Sequence, residues 1–290
     1  MTPPLRADDI VRLAVGPKKA KGLSFSTWET ILSEIIVGDA FGADRIDYLL
    51  RDSYHAGVKY GNFDHHRLIN TLRIVPRQDQ GSDEPALGLE NGGLESSEAL
   101  MLARHFMYKQ VYLHPIRRVY DLHLIDFLNS WLDGGVFSVS LEDHLAVCDA
   151  EVISAIRKAA SDASSASYIH ACRIEKREHF RLFYATSPGD KIGGVLRPGE
   201  KLFELAQKEF DPALIRHDYI PPKIASPDFP VKMYDNTIQS SLKVSQVLMG
   251  LPTIEVDSLF CCRSILRDAL KWRDSIRAEA LDLVKQTEML

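Results

Sequence analysis

A mainly α-helical fold with a smaller C-terminal α+β region is what this 290-residue chain predicts, on three observations. Apolar residues recur at helical spacing through most of the first 185 or so positions. Breaks rich in Gly and Pro cut that pattern into helix-length pieces. After Ser187-Pro188-Gly189 the texture changes, and short extended candidates alternate with helices. The expected organisation is an N-terminal arm over 1–23, a helical domain over 24–187 and an α+β region over 188–290.

The elements follow in order. The arm carries a short helix around Asp8–Val15 and then a Gly/Lys linker. Ser26-Thr27-Trp28-Glu29 is a capping-box pattern, and Trp28, Ile31, Leu32, Ile35 and Ile36 follow at helical spacing. Ala43–Ala56 predicts the next helix, with Gly57 suited to its left-handed C-terminal position. Asp64 can cap a helix through Leu72, and the Gly-, Pro- and acid-rich stretch from Leu72 to Gly93 reads as a hairpin or loop. A long helical run covers Ser97 to Leu132, bent near Pro115 and ended by Gly134-Gly135. Glu151–Ala160 and Ser167–Tyr184 continue the helical pattern. Further on, helices at Lys201–Lys208, Ser240–Met249 and Ser264–Leu290 alternate with extended stretches at Val231–Tyr234 and Thr253–Val256.

Composition excludes several classes. A hydrophobic fraction of 45% with 26% charge is that of a globular chain able to bury a real core. A net charge of −5 gives no whole-molecule attraction to nucleic acid, although a local basic pocket could hold phosphate. No run approaches the apolar length of a membrane span, and the N-terminus has no apolar signal region. The four cysteines show no paired spacing; reduced thiols in a cytoplasm are expected, with Cys261 and Cys262 as packing residues.

Two stretches carry chemistry. In residues 42–57, Asp44, Tyr48 and Asp52 fall at i, i+4 and i+8 and share a helix face, while Ile46, Leu49 and Leu50 can pack inward. Two carboxylates and a phenol in line, flanked by Arg45 and Arg51, could hold a metal-bound phosphate ester. A solvated helix face with i,i+4 ion pairs gives the same pattern. In residues 103–114, Arg104, Tyr108 and Tyr112 repeat the spacing. Arg suits bidentate phosphate contact and Tyr can stack on a base or sugar, but core aromatics of an amphipathic helix also explain the stretch.

Taken together, DRIDYLLRDSYHAGVKYG, LESSEALMLARHFMYKQVYLHPIRRVYDLHLIDFL and LEDHLAVCDAEVISAIRKA resemble successive blocks of bacterial HD-domain phosphohydrolases. That group includes the deoxynucleoside triphosphate triphosphohydrolases, and the likeness covers about residues 25–185. It implies a partial HD-domain helical body and a hydrolase of (deoxy)nucleotide phosphates. It also implies a divalent metal (Mn, Mg, Fe or Ni class) held by a His, a His-Asp pair and a later Asp. Asp44 matches that later Asp, opening a DxxDY motif with Asp47 and Tyr48. By the same resemblance Arg45 and Arg104 would stabilise charge as activated water attacks phosphorus. Tyr48, Asp52 and Tyr112 would place the sugar and phosphates. Leu113 stands where some of these enzymes put a polar residue.

The early ligands have no counterpart here: 43 residues precede Asp44 and none is a histidine. The His217-Asp218 pair follows the family-like blocks and reads as a decoy, since Pro221-Pro222 ends any helix there. The resemblance therefore implies an isolated chain that is inactive, completed by a second polypeptide or a missing segment that brings the histidines. A non-catalytic nucleotide-binding or regulatory subunit is the alternative, and a homo-oligomer or a fragment of a longer product are further readings. The Ile31/Ile35 and Leu49/Leu50 faces are expected to lie uncovered until a partner arrives.

Overall fold

The computed structural model describes residues 6–77, 81, 83–191, 197–223 and 227–287. Its contacts divide the chain into two units, residues 1–111 with 223–254 and residues 112–222 with 255–290. The expected boundary near residue 187 falls inside the second unit. The architecture is mainly α with a smaller α+β part.

In the first unit, α1 (Ala7–Val15) packs on α2 (Thr27–Val37), which starts on the expected capping box: Ser26 Oγ accepts from Glu29 N–H, and Glu29 Oε2 accepts from Ser26 N–H at 2.7 Å. Helix α3 (Ala43–His55) follows a tight loop. A Cβ on Gly42 would lie 2.6 Å from Asp44 Oδ1 and 2.7 Å from the Gly38 carbonyl, so only glycine lets the chain enter this helix so closely. Asp64 caps α4 (His65–Thr71), accepting from Arg67 N–H at 2.9 Å. Strands β1 (Leu72–Pro76) and β2 (Pro85–Glu90) then form the expected antiparallel hairpin, from Leu72 opposite Leu89 to Pro76 opposite Pro85. Helix α5 (Leu94–Met107) packs against both α3 and α4.

The same unit recovers the chain at β5 (Pro230–Lys232), which pairs parallel to β2, and β6 (Ile238–Ser240), which pairs antiparallel to β5. The expected Ser240–Met249 helix is two short ones, α11 (Ser241–Val244) and α12 (Gln246–Gly250). Ser245 divides them, its Oγ accepting from Leu248 N–H and donating to Glu98 on α5. Ile31, Leu49, Leu68, Leu89, Leu100, Met107 and Val231 are fully buried.

The second unit begins with α6 (Pro115–Trp131), its Pro at the first helical position where no N–H is needed. Helices α7 (Leu141–Ala146), α8 (Asp149–Ser161) and α9 (Tyr168–Glu175) follow. Phe127, Ile156, Ala159, Ala171 and Cys172 form the core between α6, α8 and α9. The helix expected over Ser167–Tyr184 is corrected: it stops at Glu175, and β3 (Arg181–Ala185) takes over. Arg177, with φ 57°, turns the chain into the left-handed region and ends the helix. Helix α10 (Pro198–Glu209) leads to β4 (Ile215–Lys223), where no element was expected, then β7 (Ile254–Cys261) and α13 (Leu266–Thr287). The sheet order is β3-β7-β4, and its core holds Phe183, Leu202, Ala206, Leu259 and Cys261 against α10 and α13.

Candidate functional site

Helix α3 presents the first set of candidates. Asp44 is exposed in the first turn, where its Oδ1 accepts from Arg45 N–H at 2.7 Å. Arg45 folds back on the preceding loop, donating from Nε to the Gly38 carbonyl at 2.8 Å and from Nη2 to Asp39 at 2.7 Å. Lys18 reaches the same Asp39 carboxylate. Its hydrogen bond holds the Asp39 carboxyl below the usual carboxylate range, and the Lys18, Arg45 and Arg104 charges reinforce the effect. On the outer side of the helix Asp47 pairs with Arg51, whose Nε lies 3.6 Å from Asp52 Oδ1. That side is the solvated face with i,i+4 pairs.

Packing of α3 on α5 brings Tyr48 and Arg104 together. Tyr48 is half-buried, and burial pushes its phenol up to about 12, with neighbouring Tyr108 adding to the rise. The Arg104 and Arg45 charges oppose that rise, so both guanidiniums act on this phenol as they do on Asp39. Arg104 lies over the Tyr108 ring with Cζ 5.7 Å from its centroid, and its buried Nε has no hydrogen-bond partner. The structure therefore gathers Arg45, Tyr48 and Arg104 into one basic cup beside Asp39, with Asp44 next to Arg45. Beside it a cavity of about 400 Å³, a size usual for small-molecule sites, is lined by Asp44, Arg45, Asp39, Lys18, Lys19 and Arg77 among others.

Tyr108, rather than Tyr112, is the tyrosine that acts on Tyr48 and lies beside Arg104. The α-helix ends at Met107 and a π-helical turn spans Tyr108–Tyr112. A π-turn takes up more residues than an α-turn, so Tyr112 leaves the i, i+4, i+8 register that Arg104 starts. Tyr112 belongs to the second unit, where its carbonyl accepts from Arg117 Nη1 at 2.5 Å.

Among the described residues no three His, Cys, Asp or Glu side chains converge on a metal position. Asp44 alone falls short of the three or more protein ligands a catalytic metal takes, so these residues do not by themselves fit a divalent ion. His217 and Asp218 have separate partners. As neighbours on β4 they point to opposite faces, His217 Nε2 to Asp257 at 2.7 Å and Asp218 to Arg118 at 2.6 Å.

Comparison with known proteins finds partial matches. Residues 63–190 match the HD associated region, a stretch that includes Arg104, Tyr108 and Tyr112 but not Asp44. An uncharacterised protein of Methanocaldococcus jannaschii is 41% identical over 88 residues, 30% of this chain and 18% of the relative. An uncharacterised protein of Bacillus subtilis is 36% identical over 94 residues, 32% of this chain and 20% of the relative. Among solved structures, a hypothetical protein from Aquifex aeolicus superposes with a TM-score of 0.74 at 29% identity, covering 91% of this chain and 64% of the other. A phosphohydrolase from Bacteroides thetaiotaomicron shares the fold, with a TM-score of 0.58 at 21% identity over 80% of this chain and 64% of that one. The matched stretches thus span about a fifth of the curated relatives. These matches support an HD-domain-related chain.

Proposed function

We propose that this chain is part of an HD-type, metal-dependent phosphohydrolase acting on (deoxy)nucleotide phosphates, with ligands beyond Asp44 supplied by a segment outside it. What supports the reading is that the Arg45 and Arg104 charges both act on Asp39 and Tyr48, while Asp44 and Arg45 line the cavity. Two guanidiniums held in place before substrate arrives can stabilise charge that develops on a phosphoryl group, with no reorganisation at the moment of reaction. The unpartnered Nε of Arg104 is a donor already desolvated for that purpose. Tyr48, kept protonated by burial, offers a hydroxyl to a sugar or phosphate oxygen, and Asp52 lies one turn further along α3. The name of the Bacteroides protein, a phosphohydrolase, agrees with this chemistry.

The test is co-expression with a polypeptide carrying the His and His-Asp ligands, followed by nucleotide hydrolysis with Mn²⁺ or Mg²⁺. Asp44→Ala is expected to abolish activity by weakening the metal. Arg104→Ala is expected to keep the metal and slow turnover by about 10²–10³, the usual cost of one charge-stabilising donor. An active complex indifferent to Asp44→Ala overturns the catalytic reading. Nucleotide binding without turnover in every complex would leave a regulatory subunit in its place.

A further inference from the structure

A second cluster of cations, in the other unit, has no part in the site above. Helix α6 contributes His123 and Asp126, α9 contributes His170 and Arg173, and β4 contributes Arg216, all around the ring of Phe180. Both guanidiniums lie against that ring, Arg173 with Cζ 4.4 Å from its centroid and Arg216 at 5.8 Å. One carboxylate oxygen, Asp126 Oδ2, serves them all: Arg216 Nη2 at 3.2 Å, His170 Nδ1 at 3.7 Å and Arg173 Nη1 at 3.8 Å. The last two separations are too long for hydrogen bonds, so only Arg216 is bonded to it. Two full positive charges therefore share one negative charge. Burial, then repulsion from Arg216, pulls the Arg173 guanidinium below its ordinary value.

His123 points the same way independently. It is fully buried, and its Nε2 accepts from Phe180 N–H at 3.0 Å. In the neutral ring this leaves the proton on Nδ1, and that buried donor has no partner. Burial holds the ring neutral, and the Arg173 and Arg216 charges reinforce it. Arg216 Nη1 donates to the Ile215 carbonyl at 2.9 Å and Arg173 Nη1 lies 3.4 Å from His170 Nδ1, which leaves two guanidinium charges against one carboxylate, His123 Nδ1 unanswered, and a flat aromatic floor. A buried donor such as His123 Nδ1 costs stability unless an acceptor completes it.

We infer that Arg173 and Arg216, over Phe180 and beside His123 and His170, form a binding site for a phosphoryl oxyanion, separate from the Asp44 cup. Arg forks match such oxygens bidentately, and a dianion would turn the excess positive charge into a balanced cluster. The oxyanion could be free phosphate or the phosphate tail of a nucleotide, two sources of one chemistry.

The test uses the whole chain in an Arg45→Gln/Arg104→Gln background, so that phosphate bound at the first site does not contribute. Thermal unfolding is followed with inorganic phosphate, and in a parallel arm with dATP. At a hundredfold excess over Kd, mass action should raise Tm by roughly 5 °C. The rise should vanish in Arg173→Gln and in Arg216→Gln. Phosphate should also move the His123 imidazole ¹⁵N resonances, a readout that does not depend on how the variants fold. A response to phosphate identifies the free ion as sufficient, and a response to dATP alone identifies the nucleotide tail. No Tm rise and no ¹⁵N shift with either probe overturns the site. So does an equal rise in both Arg variants. Because the background lacks both guanidiniums of the first cup, either result stands whatever becomes of the proposed hydrolase.

Discussion

His123 makes a pH dependence that can be worked through in sign. Burial, then the neighbouring Arg173 and Arg216 charges, holds its ring down to about 3 in the folded chain. An unfolded histidine takes its proton near 6.5. Between those values the unfolded state binds more protons, so stability falls as pH drops from about 6.5 toward 3. One proton gives a slope of up to about 1.4 kcal/mol per pH unit. His105 and His170 shift in the same direction, and Asp257 adds acid sensitivity only below the ordinary carboxylate range. His123→Gln keeps an acceptor for Phe180 N–H but does not titrate. Urea midpoints measured from pH 7 to 4.5 should therefore fall less steeply in this variant, and identical slopes would remove His123 as the cause. None of this was legible in the sequence, where His123 is one histidine among 10. Its burial depends on Phe180, 57 positions away. The α3 candidates were legible because their spacing is local. The π-turn over Tyr108–Tyr112, which shifts Tyr112 out of the helical register, is announced by no residue type.

Helix ends show the same division between local and distant causes. The Ser26–Glu29 box could be read directly, because each partner satisfies a backbone donor of the other three residues away. Ser26→Ala should cost about 1 kcal/mol in chemical denaturation, the usual value for a lost cap. The end of α9 could not be read, since the apolar pattern runs on through Phe180 and Phe183. Those residues instead enter two cores, Phe180 with Val119 and Phe260, Phe183 with Leu202 and Leu259. The turn between α9 and β3 is carried by Arg177 in a left-handed conformation that costs a non-glycine residue about 1–2 kcal/mol. Arg177→Gly should therefore stabilise the protein by roughly 0.5–1 kcal/mol, because glycine adopts that conformation freely but loses more entropy on folding. A destabilised variant would mean that the Arg side chain contributes more than its backbone costs. Strand β4 was missed because Pro221-Pro222 argued against regular structure, yet its pairing with β7 tolerates prolines near one end.

Assembly is where the sequence expectation changes most. The faces expected to lie open were Ile31/Ile35 and Leu49/Leu50, but Ile31 and Leu49 are buried within this chain. What α2 leaves outside is the stripe Trp28, Leu32, Ile35 and Ile36, with Trp28 64% exposed. A helix apolar on both faces is normally covered on both. The proposed cover is the segment bearing the His and His-Asp ligands, because α2 packs on α3, which holds Asp44, and the Gly38–Asp39 loop that ends α2 is gripped by Arg45. Full burial of a large side chain is worth about 1.5–3 kcal/mol, and these four are already partly covered. Closing the stripe would then contribute on the order of 3–6 kcal/mol to association, before its entropic cost. Leu32→Glu with Ile35→Glu should abolish co-purification of the ligand-bearing polypeptide and the metal-dependent hydrolysis that it confers. Leu32 is 44% and Ile35 40% exposed, so the chain alone should stay folded while losing on the order of 1–3 kcal/mol of the burial these side chains already have. Sedimentation of each chain and of the mixture distinguishes the outcomes. Self-association lost in the double variant would identify a second copy as the cover, and a variant that still forms an active complex would place the interface elsewhere.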